Sequence, residues 1–170
     1  MEAESILLSI AEISVAFAGF SGVVAVFGRR SSGKWRRGDI LRFWQMIEVS
    51  LSMLIFALLP FIFHHTGMTA QRTWPACSAI LALILSLQMC RALWRTISAK
   101  RTDPSISILF SLLFQGISLV VVILQIANVM GIMFHQELAP YLIGVFWLLC
   151  LACVLFWRLL KFSDLPGPSQ

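Results

Sequence analysis

Five long apolar stretches alternate with short polar ones along the chain, at about 5–28, 40–63, 74–97, 105–133 and 139–162. Each is about 20 residues or longer, the length an α-helix needs to cross the hydrocarbon core of a bilayer. The breaks between them read GRRSSGKWRRGD, HHTGMTAQRT, SAKRTDP and HQELAP, and they carry the residues that end helices. Pro75, Pro104 and Pro140 fall at or near predicted helix starts, where a missing N–H does no harm. Asp39 is placed to cap the second helix. Residues 163–170, SDLPGPSQ, are too polar and proline-rich to prolong the fifth and form a short tail. The pattern predicts an all-α fold: one polytopic transmembrane bundle of five helices over residues 1–170.

The polar residues inside the apolar stretches add a second pattern. Lipid cannot satisfy polar groups, so such residues are expected to face other helices or a cavity. On the fourth helix Ser107, Ser111, Gln115, Ser118, Gln125 and Asn128 recur at steps of three, four or seven and make one stripe. The fifth helix, YLIGVFWLLCLACVLFW, has no comparable stripe and is expected to be the most lipid-exposed.

The first helix has two small-residue faces. Ser5, Ser9, Glu12, Ala16 and Gly19 share one; Ala11, Ser14, Ala18, Ser21, Gly22 and Ala25 share another, nearly opposite. Small residues let helix backbones approach closely, which is a main source of attraction between helices in lipid. Ala16, Ala18, Gly19, Ser21 and Gly22 are therefore read as helix-packing residues. The helix is expected to have neighbours on both sides, either at the centre of the bundle or at a subunit seam.

Charge changes the picture by giving it a direction. Of the 170 residues 12% are charged, about half the usual share of a soluble domain, roughly 25%. The chain holds 13 Lys and Arg. When the loops are assigned to alternating sides, every one of these except Arg72 falls on the same side. By the positive-inside rule that side is cytoplasmic, so the N-terminus lies outside and the C-terminus inside. The net charge of +5 sits in short loops, where it suits anionic lipid headgroups and does not call for nucleic acid. Trp35, Trp74 and Trp157 fall near span ends, as interfacial anchors do. The expected location is a cell membrane, taken as a bacterial plasma membrane.

Candidate chemistry centres on two in-span acids. Glu12 lies on the first small-residue face, with Gln125 and Asn128 of the fourth helix as its expected partners, and Gln115 further along the same stripe. It is read either as a proton- or cation-binding group on a pathway or as a protonated, amide-bonded fastener between helices. Glu48, flanked by Gln45 and Ser52, is placed to pair with Arg91 of the third helix near the inner mouth. His64, His65 and His135 sit at outer helix ends and are weak candidates for a metal site with Glu137. Adjacent histidines point apart on a helix, so no metal is assigned. Cys77, Cys90, Cys150 and Cys153 all fall inside predicted spans and read as packing residues.

The GFSG stretch at 19–22 resembles the Gly-x-Ser-Gly pattern of rhomboid intramembrane serine proteases. That chemistry also needs an intramembrane histidine, and all three histidines here lie at span ends. No nucleotide loop, haem pair or HExxH is present, so neither an enzyme nor a cofactor is expected. Two functions remain. One is a homo-oligomeric channel or small transporter for protons or cations, its pathway lined by Glu12, Gln115, Gln125 and Asn128, with Glu48 and Arg91 at the inner mouth. The other is a membrane-embedded accessory or assembly subunit that packs against a partner's helices.

Overall fold

A computed structural model describes residues 2–32, 37–102, 108–132 and 137–163. They form five α-helices: α1 (Glu2–Ser32), α2 (Arg37–His65), α3 (Ala70–Thr102), α4 (Ile108–Met130) and α5 (Leu138–Ser163). All five are long and apolar enough to cross a membrane, over Glu4–Val23, Phe43–His65, Gln71–Ser98, Ser111–Met130 and Leu138–Arg158. Pro104, His135 and Trp35 lie outside the described residues.

Two boundary expectations change. α2 starts at Arg37, so residue 39 falls inside its first turn and Asp39 does not precede the helix as a cap. α3 starts at Ala70, which puts Pro75 in the second turn. Pro60, inside α2, is buried.

Two helix ends show how the chain stops and turns. At the end of α2, Gly67 has φ 81°. Its N–H bonds to the His64 carbonyl at 3.2 Å, and the Met68 N–H bonds to Phe63 at 3.3 Å. At the end of α4, Gly131 has φ 65°, with its N–H on Asn128 at 3.2 Å and the Ile132 N–H on Ala127 at 3.3 Å. Both are Schellman closures, which need a left-handed residue and so select glycine.

The chain divides into two compact units, Met1–Leu58 with Leu148–Gln170, and Leu59–Trp147. In the first, α1 buries Leu7, Ile10, Ala11, Ser14 and Ser21, a single face at steps of three, four and seven. α2 buries Met46, Val49, Ser50, Met53, Phe56 and Ala57 in the same rhythm. α1 meets the second half of α5 through Phe17 and Phe156, edge to face with ring centroids 5.6 Å apart. In-helix serines here donate to their own backbone: Ser14 to Ala11 at 2.7 Å and Ser21 to Ala18 at 2.6 Å.

Within the chain, one of the two small faces of α1 is covered. The face of Ala11, Ser14 and Ser21 is buried, while Ser9, Glu12, Ala16 and Gly19 are exposed. A Cβ added at Gly19 or Gly22 would meet nothing within 4 Å. Of the residues read as packing residues, Ser21 is buried and Ala18 half-buried, and Ala16, Gly19 and Gly22 are exposed.

In the second unit α3 and α4 pack against each other. α3 contributes buried Thr73, Cys77, Ser78, Leu81, Ala82 and Leu85, and α4 contributes Ser118, Val121, Val122, Gln125 and Asn128. The first half of α5 adds Pro140, Tyr141, Gly144 and Val145. α5 is thus not the most exposed helix: it carries a continuous buried face, continued by Leu148 and Ala152 in the first unit. Its packing uses apolar and small residues, which leave no polar periodicity to read. Trp74, expected as an interfacial anchor, is half-buried with its ring 6.2 Å from that of Tyr141.

Candidate functional site

The polar stripe of α4 is the most developed polar feature of the second unit. Beginning near the start of the helix, Ser111 shares a hydrogen bond with Thr96 of α3 at 3.2 Å. One turn on, Gln115 donates from Nε2 to the Met89 carbonyl at 3.3 Å. Ser118 accepts from the Trp147 indole N–H at 3.0 Å, and the Trp147 ring stacks on Phe114 with centroids 5.9 Å apart. Gln125 donates from Nε2 to the Pro140 carbonyl at 2.6 Å. Asn128 donates from Nδ2 to the Ser78 hydroxyl at 2.9 Å and to the Glu137 carbonyl at 3.1 Å. Ser107 lies outside the described residues.

These bonds also record the registry of the helices. From Asn128 back to Gln125 and Ser118 along α4, the partner advances from Glu137, just before α5, to Pro140 and Trp147 on α5 in matching steps. The two helices run in opposite directions, and residues three and seven apart on one find residues three and seven apart on the other. α3 runs against α4 in the same way, from Thr96 opposite Ser111 to Ser78 opposite Asn128. The stripe is a hydrogen-bonded clamp joining three helices.

Close approach at one point depends on a glycine. A Cβ built on Gly144 would lie 2.5 Å from Leu81 Cδ2 and 2.7 Å from Gln125 Nε2. The Gln125 amide occupies the space that any larger residue at 144 would need, which lets it reach the α5 backbone.

Sequence reasoning placed Gln125 and Asn128 next to Glu12. In the structure both amides are fully buried and donate to Pro140, Ser78 and Glu137, whereas the Glu12 side chain is exposed on α1. Glu48 is half-buried on α2, where its backbone carbonyl accepts the Ser52 hydroxyl at 2.7 Å. Arg91 is exposed on α3. His64 and His65 are exposed at the end of α2. Among the described residues no group of three or more His, Cys, Asp or Glu could hold a metal ion. The four cysteines are free thiols. Ser21 of the GFSG stretch is buried, with its hydroxyl turned to its own helix.

The partners that sequence reasoning missed are Ser78, Thr96, Trp147 and Gly144. Ser78 and Thr96 carried a usable signal. They sit on the helix before α4 at the depths of Asn128 and Ser111, as an antiparallel pair requires. Trp147 and Gly144 carried none, since an indole and a glycine in an apolar run read as bulk and spacer. In comparison with known proteins, no family model, curated protein or solved structure matches the chain.

Proposed function

We propose that this is a multi-pass membrane protein in which α1 forms a seam between copies of the chain, and that protons or small cations cross the membrane along that seam past Glu12. The observation that carries the reading is the setting of Glu12. It lies within a helix apolar enough to span a bilayer, on an exposed stripe with Ser9, Ala16 and Gly19. An ionised carboxylate facing lipid near mid-span costs about 2.5 kcal/mol or more, so it calls for protein cover, water or a proton. Small residues beside it permit a second helix to come close enough to supply that cover. The N-terminus is taken as outside and the C-terminus as cytoplasmic, with Glu48 and Arg91 towards the inner mouth and the basic loops against anionic headgroups.

Purified protein in liposomes tests this. Cation or proton flux that depends on the protein and falls at least about tenfold in Glu12→Gln supports the pathway. Liposomes that stay tight with the wild-type chain remove it. Mass measurement in detergent is the companion experiment, because a strict monomer leaves no seam.

The second reading is an accessory subunit whose α1 stripe receives a partner's helix. It is favoured by the clamp of α4: the amides expected to line a pathway donate to neighbouring helices. Tight liposomes together with a stable complex with another membrane protein would favour this reading over the first.

A further inference from the structure

Two buried oxygens in the second unit take no part in the clamp. Gln125 Oε1 and Asn128 Oδ1 are both shielded from solvent, and no donor among the described residues reaches either. Their identity as oxygens is fixed by their surroundings. The Pro140 and Glu137 carbonyls can only accept, so the amide atoms facing them at 2.6 and 3.1 Å must be nitrogens. Flipping either amide would set oxygen against oxygen. Both carbonyl groups are therefore turned away from the α5 backbone.

Gln125 and Asn128 stand three residues apart on α4, which makes them neighbours on one face, about 5–6 Å apart at Cβ. Side chains this close on one helix face are near enough for one small guest seated between them to serve both oxygens, which is the arrangement inferred here. Burying a carbonyl oxygen without a donor is unfavourable, and two together doubly so. We infer that the amide oxygens of Gln125 and Asn128 form a binding site for one small electropositive guest, a water molecule or a dehydrated monovalent cation.

The chemistry of the site limits the guest. Ser78 beside Asn128 and Gly144 beside Gln125, both buried, are uncharged, and Glu137, with its side chain exposed, contributes its backbone carbonyl. A divalent ion would lack the carboxylates it normally requires. Water brings two O–H groups to two acceptors. A monovalent cation would be favoured by the negative end of the α4 dipole, since Asn128 lies in the last turn before Met130. The site does not involve Glu12, so it stands or falls separately from the proposed pathway.

The test uses the full chain in detergent, with its structure solved in sodium chloride and in choline chloride at a resolution that shows ordered water. Thermal unfolding is followed in the same two buffers. The expected result is a density peak within hydrogen-bonding reach of both oxygens, about 2.5–3.2 Å. A peak in both salts with an unchanged midpoint identifies water. A peak in sodium alone, with a saturable rise in midpoint that is lost in Gln125→Met, identifies a cation. An empty site, or a protein N–H or O–H bonded to each oxygen, overturns the inference.

Discussion

The polar face of α1 and the polar stripe of α4 have similar sequence signatures and opposite fates. Both place Ser, amide or acid groups at helical spacing inside an apolar run. On α4 the groups turn inward, where Ser111, Gln115, Ser118, Gln125 and Asn128 each meet a partner on α3 or α5. On α1 the stripe of Ser9, Glu12, Ala16 and Gly19 faces out of the chain. The difference shows that spacing identifies a face but not what covers it. A polar face covered within the chain is a structural clamp, and one left open in an apolar setting is the candidate for assembly or transport.

That contrast can be broken by mutation. The largest expected effect is at Asn128→Leu, which removes a buried hydrogen bond to Ser78 and a part-buried one to the Glu137 carbonyl. A loss of about 1–3 kcal/mol in unfolding free energy is expected, read by denaturant titration in detergent. Gly144→Ala comes next: its new Cβ would press on Leu81 and the Gln125 amide, and overpacking of this kind costs about 1–3 kcal/mol. If thermal unfolding of that variant matches wild type, Gly144 is not needed for the close approach.

Trp147→Phe sharpens the contrast at smaller scale. It deletes the N–H donated to Ser118 and keeps an aromatic ring beside Phe114. Bonds of this type between helices in membranes average about 0.6 kcal/mol, so a double-mutant cycle with Ser118→Ala should return a coupling of that order. The smallest effect on folding is expected at Glu12→Gln, within about 0.5 kcal/mol for the isolated chain, as for surface positions generally. Should Glu12→Gln destabilise the monomer as much as Asn128→Leu, the distinction between the two faces is lost.

Much of the fold was legible because apolar runs of bilayer length have few alternatives to a helix. The five helices fall where the runs do, and the HHTGM break holds the glycine-closed end of α2, whereas the fourth run extends to residue 133, past the closure at Gly131. Asp39 and Pro75 missed by a few residues, since helices extend past their apolar cores into polar flanks when backbone hydrogen bonds remain available. The site was less legible. The α4 stripe was visible at every described position, but depth alone did not name its partners on α3 and α5. Depth is shared by every helix in a bundle, and only neighbours can bond. The burial of α5 was hidden because apolar contact between helices looks the same in sequence as apolar contact with lipid.

By itself the amino-acid sequence determined that the chain is all-helical, how many long apolar helices it has, and which residues on each share a face. These follow from the local geometry of the backbone and from hydrophobic length, and both act within a single segment. Tertiary structure alone decided which neighbours cover the α4 stripe and which faces of α1 and α5 turn inward. It seated Gln125 in the gap at Gly144 and left Glu12 exposed. Such choices depend on close packing and hydrogen-bond geometry between segments far apart in the chain, and no single segment contains that information.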